Sequence, residues 1–374
     1  MLVILLCVTG LCVLAVIYPY VIYMRVLTRL PARPIARQEG HELRATLVFC
    51  AYNEEATVPE KLANIERLKA KHPDLEVLAF DDGSSDRTAD ILSARPDLLE
   101  LVQGGGRNGK AHGMKLLASR ATGDIIIFTD ANVVLDEAAI DALMAWYADP
   151  EVGGICGSLH YLNDQNSVTA NVGSRYWNME EALKKEESRT GNVMGADGSI
   201  FSLRRALYPD FPDTVLDDLT VSMAAIFAGK RLIKVEDVIA YERLVANRQD
   251  EIARKIRIAT RAFHTHLVLK PQLAKMGTLD KFKYGSRKML RWFGGGFLVV
   301  GALTGLAAAV LISPVLALVG AVFVAGIGLV GMRHKTGPAA SVVEIVIALI
   351  ATQIGIFNAM RGQVQTVWNP AKSR

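Results

Sequence analysis

The chain has 374 residues, enough for one large domain or two smaller ones. Hydrophobic residues make up 51% of it and its mean hydropathy is positive, which predicts that part of the chain lies in lipid. The formal net charge is only +4 and no basic stripe is interleaved with aromatic residues, so nucleic acid is not expected as a partner.

The first element in the chain is an uncharged apolar segment, Leu2–Met24. It is long enough to span a membrane, because about 20 apolar residues cross the hydrocarbon core. A signal peptide is the alternative, but the basic start, shorter apolar run and small-residue cleavage site of such a peptide are not evident. Positive flanks stay in the cytoplasm. The four arginines that follow therefore predict a transmembrane helix at residues 1–24 with its N-terminus outside, and a basic cytoplasmic linker at residues 25–43.

The next part of the chain, about residues 44–240, alternates predicted strands with predicted helices. Short apolar runs predict strands at Ala45–Cys50, Leu75–Phe80, Leu98–Val102, Asp124–Thr129, Val152–Ser158 and Arg231–Val235. Helices are predicted at Thr57–Ala70, Thr88–Ser93, Gly109–Ser119 and Glu137–Tyr147. This alternation indicates βαβ units, a mostly parallel sheet and an α/β fold. Right-handed crossovers place the loops after the strands at one sheet edge, where ligands bind.

Carboxylates follow three of these predicted strands. They are Glu54 and Glu55 after the first strand, Asp81, Asp82 and Asp86 after the second, and Asp130 after the fourth. Crowded carboxylates repel one another unless a cation offsets them. A divalent cation with a bound diphosphate would do so, because hard cations take oxygen ligands and share phosphate oxygens. For one loop alone, ordinary turn and helix-cap chemistry is the alternative. Three such loops together favour a cation-and-diphosphate site.

A glycine-rich segment, Gly104–Lys110, joins the third predicted strand to the next helix. Glycines let the backbone approach a ligand closely, and Lys110 opens a helix whose free amides favour an anion. Ala111 follows Lys110, so the segment is not a Gly-x-x-x-x-Gly-Lys-Ser/Thr phosphate loop. We predict that Lys110 contacts phosphate, with a plain flexible turn as the alternative.

Arginines recur on one face of a later predicted helix, where Arg254, Arg257 and Arg261 are three or four residues apart. They could bind a diphosphate through paired hydrogen bonds. The alternative is a basic helix that lies against acidic lipid headgroups. Residues 271–291 mix aromatic and basic side chains and are predicted as an interface helix.

Three more apolar stretches, Trp292–Ile312, Pro314–Met332 and Ser341–Met360, predict a transmembrane region of about three spans with a tail at residues 292–374. Basic residues before the first stretch, and between the second and third, indicate cytoplasmic edges. Three full crossings would place the C-terminus outside. A break at Pro314 would instead give a re-entrant hairpin, so the number of spans stays open.

Several motifs occur in the order seen in family 2 inverting glycosyltransferases with the GT-A fold. They are Ala51–Glu55, Asp81–Thr88, Gly109-Lys110, Phe128–Asn132, Gly195–Gly198 and Asp217-Asp218. Residues 44–270 resemble that family, and the apolar helices on both sides resemble those of membrane-bound polysaccharide synthases. The resemblance implies a GT-A, Rossmann-like mixed sheet domain flanked by transmembrane α-helices.

The resemblance also implies an activity, which is the transfer of a sugar from a nucleotide-diphosphate donor, UDP being favoured, to a polysaccharide at the cytoplasmic face. The protein is expected in a membrane, the bacterial inner membrane being favoured, with membrane lipids as partners. Transfer of a single sugar to a lipid acceptor, such as a polyprenyl phosphate or a ceramide-like lipid, is the alternative. A nucleotide-sugar-binding subunit without activity is the non-enzymatic alternative, and the combination of Asp82, Asp130 and Asp218 argues against it.

Roles for individual residues follow from the same resemblance. The residues that would line the nucleotide-sugar pocket are Ala51, Tyr52, Glu54, Asp82, Lys110 and Asp130. Asp218 would be the general base, with Asp217 as the alternative, and Gly195 and Asp197 match the acceptor loop. The chain lacks the Gln-x-x-Arg-Trp string that processive synthases often carry, and the arginine-bearing helix stands in its place. This absence strengthens the lipid-acceptor alternative.

A divalent cation, Mg²⁺ or Mn²⁺, is implied as the cofactor. Asp130 would hold the cation that bridges the two phosphates, together with Asn132. Asn132 replaces the second acid of the familiar Asp-x-Asp motif. An amide oxygen can ligate a hard cation but carries no charge, so this position would hold the metal less tightly than an acid would.

Overall fold

An eight-stranded mixed sheet forms the centre of the computed structural model, which describes residues 1–37, 43–162, 168–243, 248–334, 337–364 and 366–367. The strands are β1 (Ala45–Ala51), β2 (Glu76–Asp81), β3 (Glu100–Gln103), β4 (Ile125–Asp130), β5 (Val134–Leu135), β6 (Val152–Tyr161), β7 (Ile200–Arg204) and β8 (Arg231–Glu242). Their spatial order is β3-β2-β1-β4-β7-β6-β8-β5. This arrangement confirms the expected α/β fold with a mixed sheet.

Helices pack on both faces of the sheet and continue beyond it. They are α1 (Leu2–Ile17), α2 (Ile22–Arg29), α3 (Val58–Lys71), α4 (Thr88–Ser93), α5 (Lys110–Arg120), α6 (Ala139–Met144), α7 (Val168–Arg189), α8 (Asp217–Phe227), α9 (Arg248–Leu273), α10 (Thr278–Tyr284), α11 (Leu290–Trp292), α12 (Gly294–Ile312), α13 (Pro314–Arg333) and α14 (Pro338–Met360). A π-helical turn, Gly285–Met289, joins α10 to α11.

The register of the parallel strands brings the predicted strand-end loops together. β1 lies between β2 and β4 and is buried along its whole length, which explains why its sequence is apolar at every position but Thr46. Ala51 pairs with Asp81 and Cys50 pairs with Asp130, so the three strands end at the same level. Beyond β4 the sheet is not parallel throughout, because β7 runs antiparallel to both β4 and β6.

The N-terminal apolar segment is bent and does not form one straight helix. α1 and α2 meet at an angle of 60°, and Pro19 lies in the break. Tyr23 and Leu27 of α2 are fully buried and form a small cluster with Leu183 of α7. The predicted helix at residues 1–24 is therefore two helices in the structure, and the second packs against the domain.

Three C-terminal helices, α12, α13 and α14, are long and apolar enough to cross a membrane, and the bent α1–α2 pair would make a fourth span. α1 runs antiparallel to α12, because Cys12 lies beside Gly301 whereas Thr9 lies beside Gly305. α14 packs along α9. A Cβ placed on Gly355 of α14 would lie 2.6 Å from the carbonyl oxygen of Ile256. These helices agree with the predicted membrane association.

The chain that follows α14 returns to the glycine-rich segment of the domain. A Cβ on Gly109 would lie only 2.5 Å from the carbonyl oxygen of Thr366. Residue 109 also has a φ of +92°, a conformation that favours glycine. Glycine is thus required here both by backbone conformation and by the close approach of the tail.

Candidate active site

Asp82 anchors the glycine-rich segment beneath the predicted nucleotide pocket. Its side chain has no exposed surface, and one carboxylate oxygen accepts hydrogen bonds from the backbone amides of Asn108 (2.7 Å) and Gly109 (2.9 Å). The other oxygen accepts a hydrogen bond from Nε of Arg107 at 3.3 Å. In this conformation Asp82 holds the segment in place, and its predicted contact with the nucleoside stays a prediction.

Tyr52 and Arg107 form the outer wall of the same pocket. The guanidinium carbon of Arg107 lies 3.3 Å from the centre of the Tyr52 ring, and the group is ion-paired with Asp82. This stacking covers one face of Tyr52, a residue that was predicted to line the nucleotide-sugar pocket. An aromatic base can replace the guanidinium on that face, since both are planar groups that stack on tyrosine.

The first two strand-end loops are joined by hydrogen bonds. Asn53, which has a φ of +52°, accepts a hydrogen bond from the Ser85 amide (2.8 Å), and its own amide donates to the Ser84 hydroxyl (3.0 Å). The carboxylate of Glu54 accepts a hydrogen bond from Thr57 at 2.8 Å. Ala51 is fully buried at the end of β1. The predicted residues Ala51 and Glu54 therefore shape the loop wall.

The charged residues predicted for catalysis and phosphate binding meet around Gly198. A Cβ placed there would lie 3.0 Å from Nζ of Lys110, 3.5 Å from Oδ2 of Asp130 and 3.6 Å from Oδ2 of Asp218. Lys110 donates a hydrogen bond to Asp130 at 2.6 Å and lies 3.7 Å from Asp217. Side chains from β4 and from the first turns of α5 and α8 thus face one small space.

The charges in this space place a carboxylate that can act as a base, Asp218, beside a lysine that stays protonated, Lys110. Burial raises the pKa of Asp218 to about 7, with the neighbouring charge of Asp217 adding to the effect and Lys110 opposing it. Burial alone would lower the pKa of Lys110, but Asp130, Asp217 and Asp218 raise it well above its usual value. Lys110 therefore stays charged while Asp218 titrates near neutral pH.

The two acids of the pair differ in accessibility. The Asp217 side chain is 4% exposed, whereas Asp218 is partly exposed. Oδ1 of Asp218 accepts a hydrogen bond from the Leu219 amide at 2.6 Å, which leaves Oδ2 as the oxygen that faces Gly198. Of the two carboxylates, Asp218 is the more accessible.

The predicted acceptor loop lies next to the acidic pair. Gly195 has a φ of +93°, and a Cβ there would lie 2.6 Å from the Leu219 side chain. The Asp197 carboxylate is paired with Lys184 at 2.5 Å. That ion pair lies between the loop and α7, so it holds the loop in position.

Two of the three predicted arginines contact different parts of the protein. Arg254 pairs with Glu251 at 3.2 Å, whereas the guanidinium of Arg261 is buried and donates a hydrogen bond to the carbonyl of Val215 at 2.6 Å. Arg261 thereby supports the segment that leads into α8 and its acidic pair. Arg257 lies on the same helix, and a joint diphosphate contact stays a prediction.

The donor set for a divalent cation is small. Among the described residues, no three His, Cys, Asp or Glu side chains are grouped to hold a metal ion. Asp130 is 33% exposed, and the amide nitrogen of Asn132 donates a hydrogen bond to Glu242 at 3.0 Å. Such a site fits a cation that takes most of its ligands from phosphates and water, as Mg²⁺ usually does.

Sequence reasoning missed two features of this site. Lys288, from the π-helical turn before α11, lies beside Gly195, where an added Cβ would be 3.7 Å from Nζ. Thr366 approaches Gly109 from the C-terminal tail. Both positions are distant in sequence from the strand-end motifs and reach the site only through tertiary packing.

The comparisons with known proteins agree with this geometry. Residues 46–211 match the model of the family described as glycosyl transferase family 2. The chain carries a family 2 glycosyltransferase domain. A poly-beta-1,6-N-acetyl-D-glucosamine synthase of Staphylococcus aureus (strain COL) is 23% identical over 197 residues, which cover 50% of this chain and 47% of the relative. The corresponding synthase of Staphylococcus epidermidis is 22% identical over 184 residues, with coverage of 47% and 44%.

A solved structure shares the fold over nearly the whole chain. It is the mannosyltransferase PcManGT from Pyrobaculum calidifontis in complex with GDP-Man and Mn2+, with a TM-score of 0.76 and 24% identity. The similarity covers 94% of this chain and 99% of that one, so it includes helices outside the sheet domain. The chain spans about half the length of the curated relatives it matches.

Proposed function

We propose that this protein is a membrane-bound inverting glycosyltransferase that uses a nucleotide-diphosphate sugar, with Asp218 as the general base. The observation that carries the proposal is the meeting of Lys110, Asp130 and Asp218 around Gly198. A base, a cation and a phosphate-side carboxylate within one space are the groups that a single displacement at a sugar carbon needs.

The chain's own residues would act on both ends of that displacement. An acceptor hydroxyl attacks poorly while it is protonated, and Oδ2 of Asp218 would accept its proton as the new bond forms. The ammonium of Lys110 would stabilise the charge that develops on the departing diphosphate. Because the attack and departure occur on opposite sides of the carbon, an α-linked donor would give a β-linked product.

The cofactor in this proposal is a divalent cation held by Asp130, with the amide oxygen of Asn132 as a weaker ligand. When bound, the cation would neutralise the two phosphates of the donor. Lys110 now pairs with Asp130, and binding of the cation would shift Lys110 toward the phosphates. The Mn2+ in the structurally similar mannosyltransferase supports the choice of a divalent metal but not the choice between Mg²⁺ and Mn²⁺.

The donor and the acceptor are each proposed with one alternative. UDP-sugars remain the favoured donors, and the GDP-Man complex of the structural neighbour makes GDP-sugars the first alternative to test. A polysaccharide acceptor is supported by the names of the matched synthases. A lipid acceptor is favoured by the missing Gln-x-x-Arg-Trp string and by Arg261, which binds backbone here.

A screen of labelled nucleotide-sugars tests the proposal. Purified protein in lipid is incubated with each donor, with and without Mg²⁺ or Mn²⁺, and the products are sized. Either product would support glycosyl transfer. A polymer would identify a polysaccharide acceptor, and a lipid that carries a single sugar would identify a lipid acceptor. Donor binding without any product, with every donor and metal, would favour the non-enzymatic alternative.

A further inference from the structure

The ammonium group of Lys288 lies beside the predicted acceptor loop. It lies in the π-helical turn Gly285–Met289, a few residues before the apolar helix α12. A Cβ on Gly195 would lie 3.7 Å from Nζ and 3.9 Å from Cε of Lys288. Gly195 and Gly198 belong to one short loop, so Lys288 stands at one end of the loop and Asp218 at the other.

Glu180 and Glu187, two of the acidic residues near Lys288, are already paired with arginines. Glu180 binds both Arg287 and Arg291, the latter at 2.5 Å. Glu187 binds Arg287 at 2.5 Å and the hydroxyl of Tyr23 at 2.7 Å. Among the residues that the structure describes, none forms a hydrogen bond or ion pair with the ammonium of Lys288.

The surroundings leave this ammonium poorly solvated. Burial lowers the pKa of Lys288 to about 8, and Arg287 adds to the lowering while Glu180, Glu187 and Asp218 oppose it. Near neutral pH the group still carries its charge for most of the time. A partly buried cation without a counter-ion gains more from a bound anion than an exposed lysine does, because the local dielectric is low.

Resting on the function proposed above, we propose that Lys288 binds an anionic group, a phosphate or carboxylate, that the acceptor carries near the hydroxyl it presents to Asp218. Lys110 and Asp130 lie next to Gly198 and would serve the donor diphosphate. Lys288 lies at the other end of this loop, beside Gly195, where it would meet the acceptor. Because its turn continues into α11 and α12, a phosphate borne on a lipid is the source that the position favours.

Binding of matched amphiphiles tests the anion site directly. The full chain in nanodiscs is titrated with octyl phosphate, octyl glucoside and inorganic phosphate. Lys288→Met is expected to weaken octyl phosphate binding by at least about tenfold, as loss of a charge-assisted hydrogen bond implies, and octyl glucoside binding by less than about twofold. Lys288→Arg, which keeps the charge, should restore most of the phosphate affinity.

A matched control and a kinetic readout separate this proposal from the function on which it rests. Lys281→Met removes an exposed lysine from the adjacent helix α10 and should leave octyl phosphate binding unchanged. The proposal would be overturned if the Lys281 and Lys288 variants lost octyl phosphate affinity equally. It would also be overturned if Lys288→Met weakened the binding of octyl phosphate and octyl glucoside equally. If inorganic phosphate binds as tightly as octyl phosphate, and its binding is weakened equally by Lys288→Met, the anion site is supported and a lipid tail is not needed for binding.

Donor turnover is measured in parallel, as release of nucleoside diphosphate. An absence of turnover in the unsubstituted protein with every donor would contradict the proposed function while leaving the binding result for Lys288 readable. With active protein, Lys288→Met should raise KM for a phosphate-bearing acceptor more than it raises KM for the neutral acceptor with the same sugar. Equal effects on the two acceptors would show a structural role only.

Discussion

Replacing Asp218 by Asn tests the central chemical role in this site with little disturbance of the fold. Oδ1 of Asp218 accepts the Leu219 amide hydrogen bond at 2.6 Å, and the oxygen of an asparagine can accept the same bond. The substitution therefore removes the charge and the basic oxygen that faces Gly198 while it keeps the start of α8. It also relieves the repulsion with Asp217, so the variant should be no less stable.

The expected loss of kcat follows from the contribution that proton transfer to a general base makes to the rate. Proton transfer by a positioned base typically contributes about 10²–10⁴-fold to the rate, and Asp218→Asn should lower kcat by that factor. The elevated pKa of Asp218 adds a pH signature. The basic form is favoured as pH rises, so with a pKa of about 7 the unsubstituted rate should rise roughly tenfold from pH 6 to pH 8 and then level off.

The assay is initial-rate release of nucleoside diphosphate at saturating donor and acceptor, from pH 5.5 to pH 9. Donor affinity is measured separately by calorimetry, and Asp218→Asn should change it by no more than about twofold. Asp141→Asn, at an exposed position on α6, is the matched control. Full turnover by Asp218→Asn, or a pH profile unchanged by the substitution, would refute the assignment of the base.

Three further substitutions test the surrounding pocket. Gly198→Ala should lower kcat at least about tenfold with little change in Tm, because the alanine methyl group enters the space between Lys110 and the acids. Gly277→Ala is the control: its methyl group would meet nothing within 4 Å, so turnover should not change. Lys110→Met should reduce kcat/KM about a hundredfold or more, read from donor saturation curves, and normal kinetics would exclude its phosphate role. Arg107→Gln should change donor KM by about tenfold if the guanidinium on Tyr52 adjoins the base, and an unchanged KM for every nucleotide would place the base elsewhere.

Much of the central architecture could be predicted because its signals are local. β1, β2 and β4 are buried strands with mostly apolar sequences, and polar residues stand at or directly after the end of each of them. The parallel register then forces Asp81 and Asp130 to the same sheet edge. Short antiparallel pieces such as β5 and the two-residue register it makes with β8 give no comparable signal.

The finer roles of site residues could not be predicted, since they depend on contacts between distant parts of the chain. Asp82 is an acid in a motif, but its use as an acceptor for two backbone amides of the glycine-rich segment is set by how that segment folds. Arg261 belongs to a regular basic pattern, yet its guanidinium binds the carbonyl of Val215, 46 residues away. Lys288 is brought to Gly195 by tertiary packing.

The contact between Thr366 and Gly109 constrains how the chain threads the bilayer. α12 begins beside the sheet domain, and the segment after α14 touches that same domain, so both ends of the region lie on one face of the membrane. A chain that leaves and returns to one face crosses an even number of times. We infer that α12 and α13 form a transmembrane hairpin while α14, whose Gly355 rests on the backbone of α9, lies along the membrane surface. A membrane-impermeant thiol label should then reach a cysteine placed at Gln363 only from the side on which the catalytic domain lies.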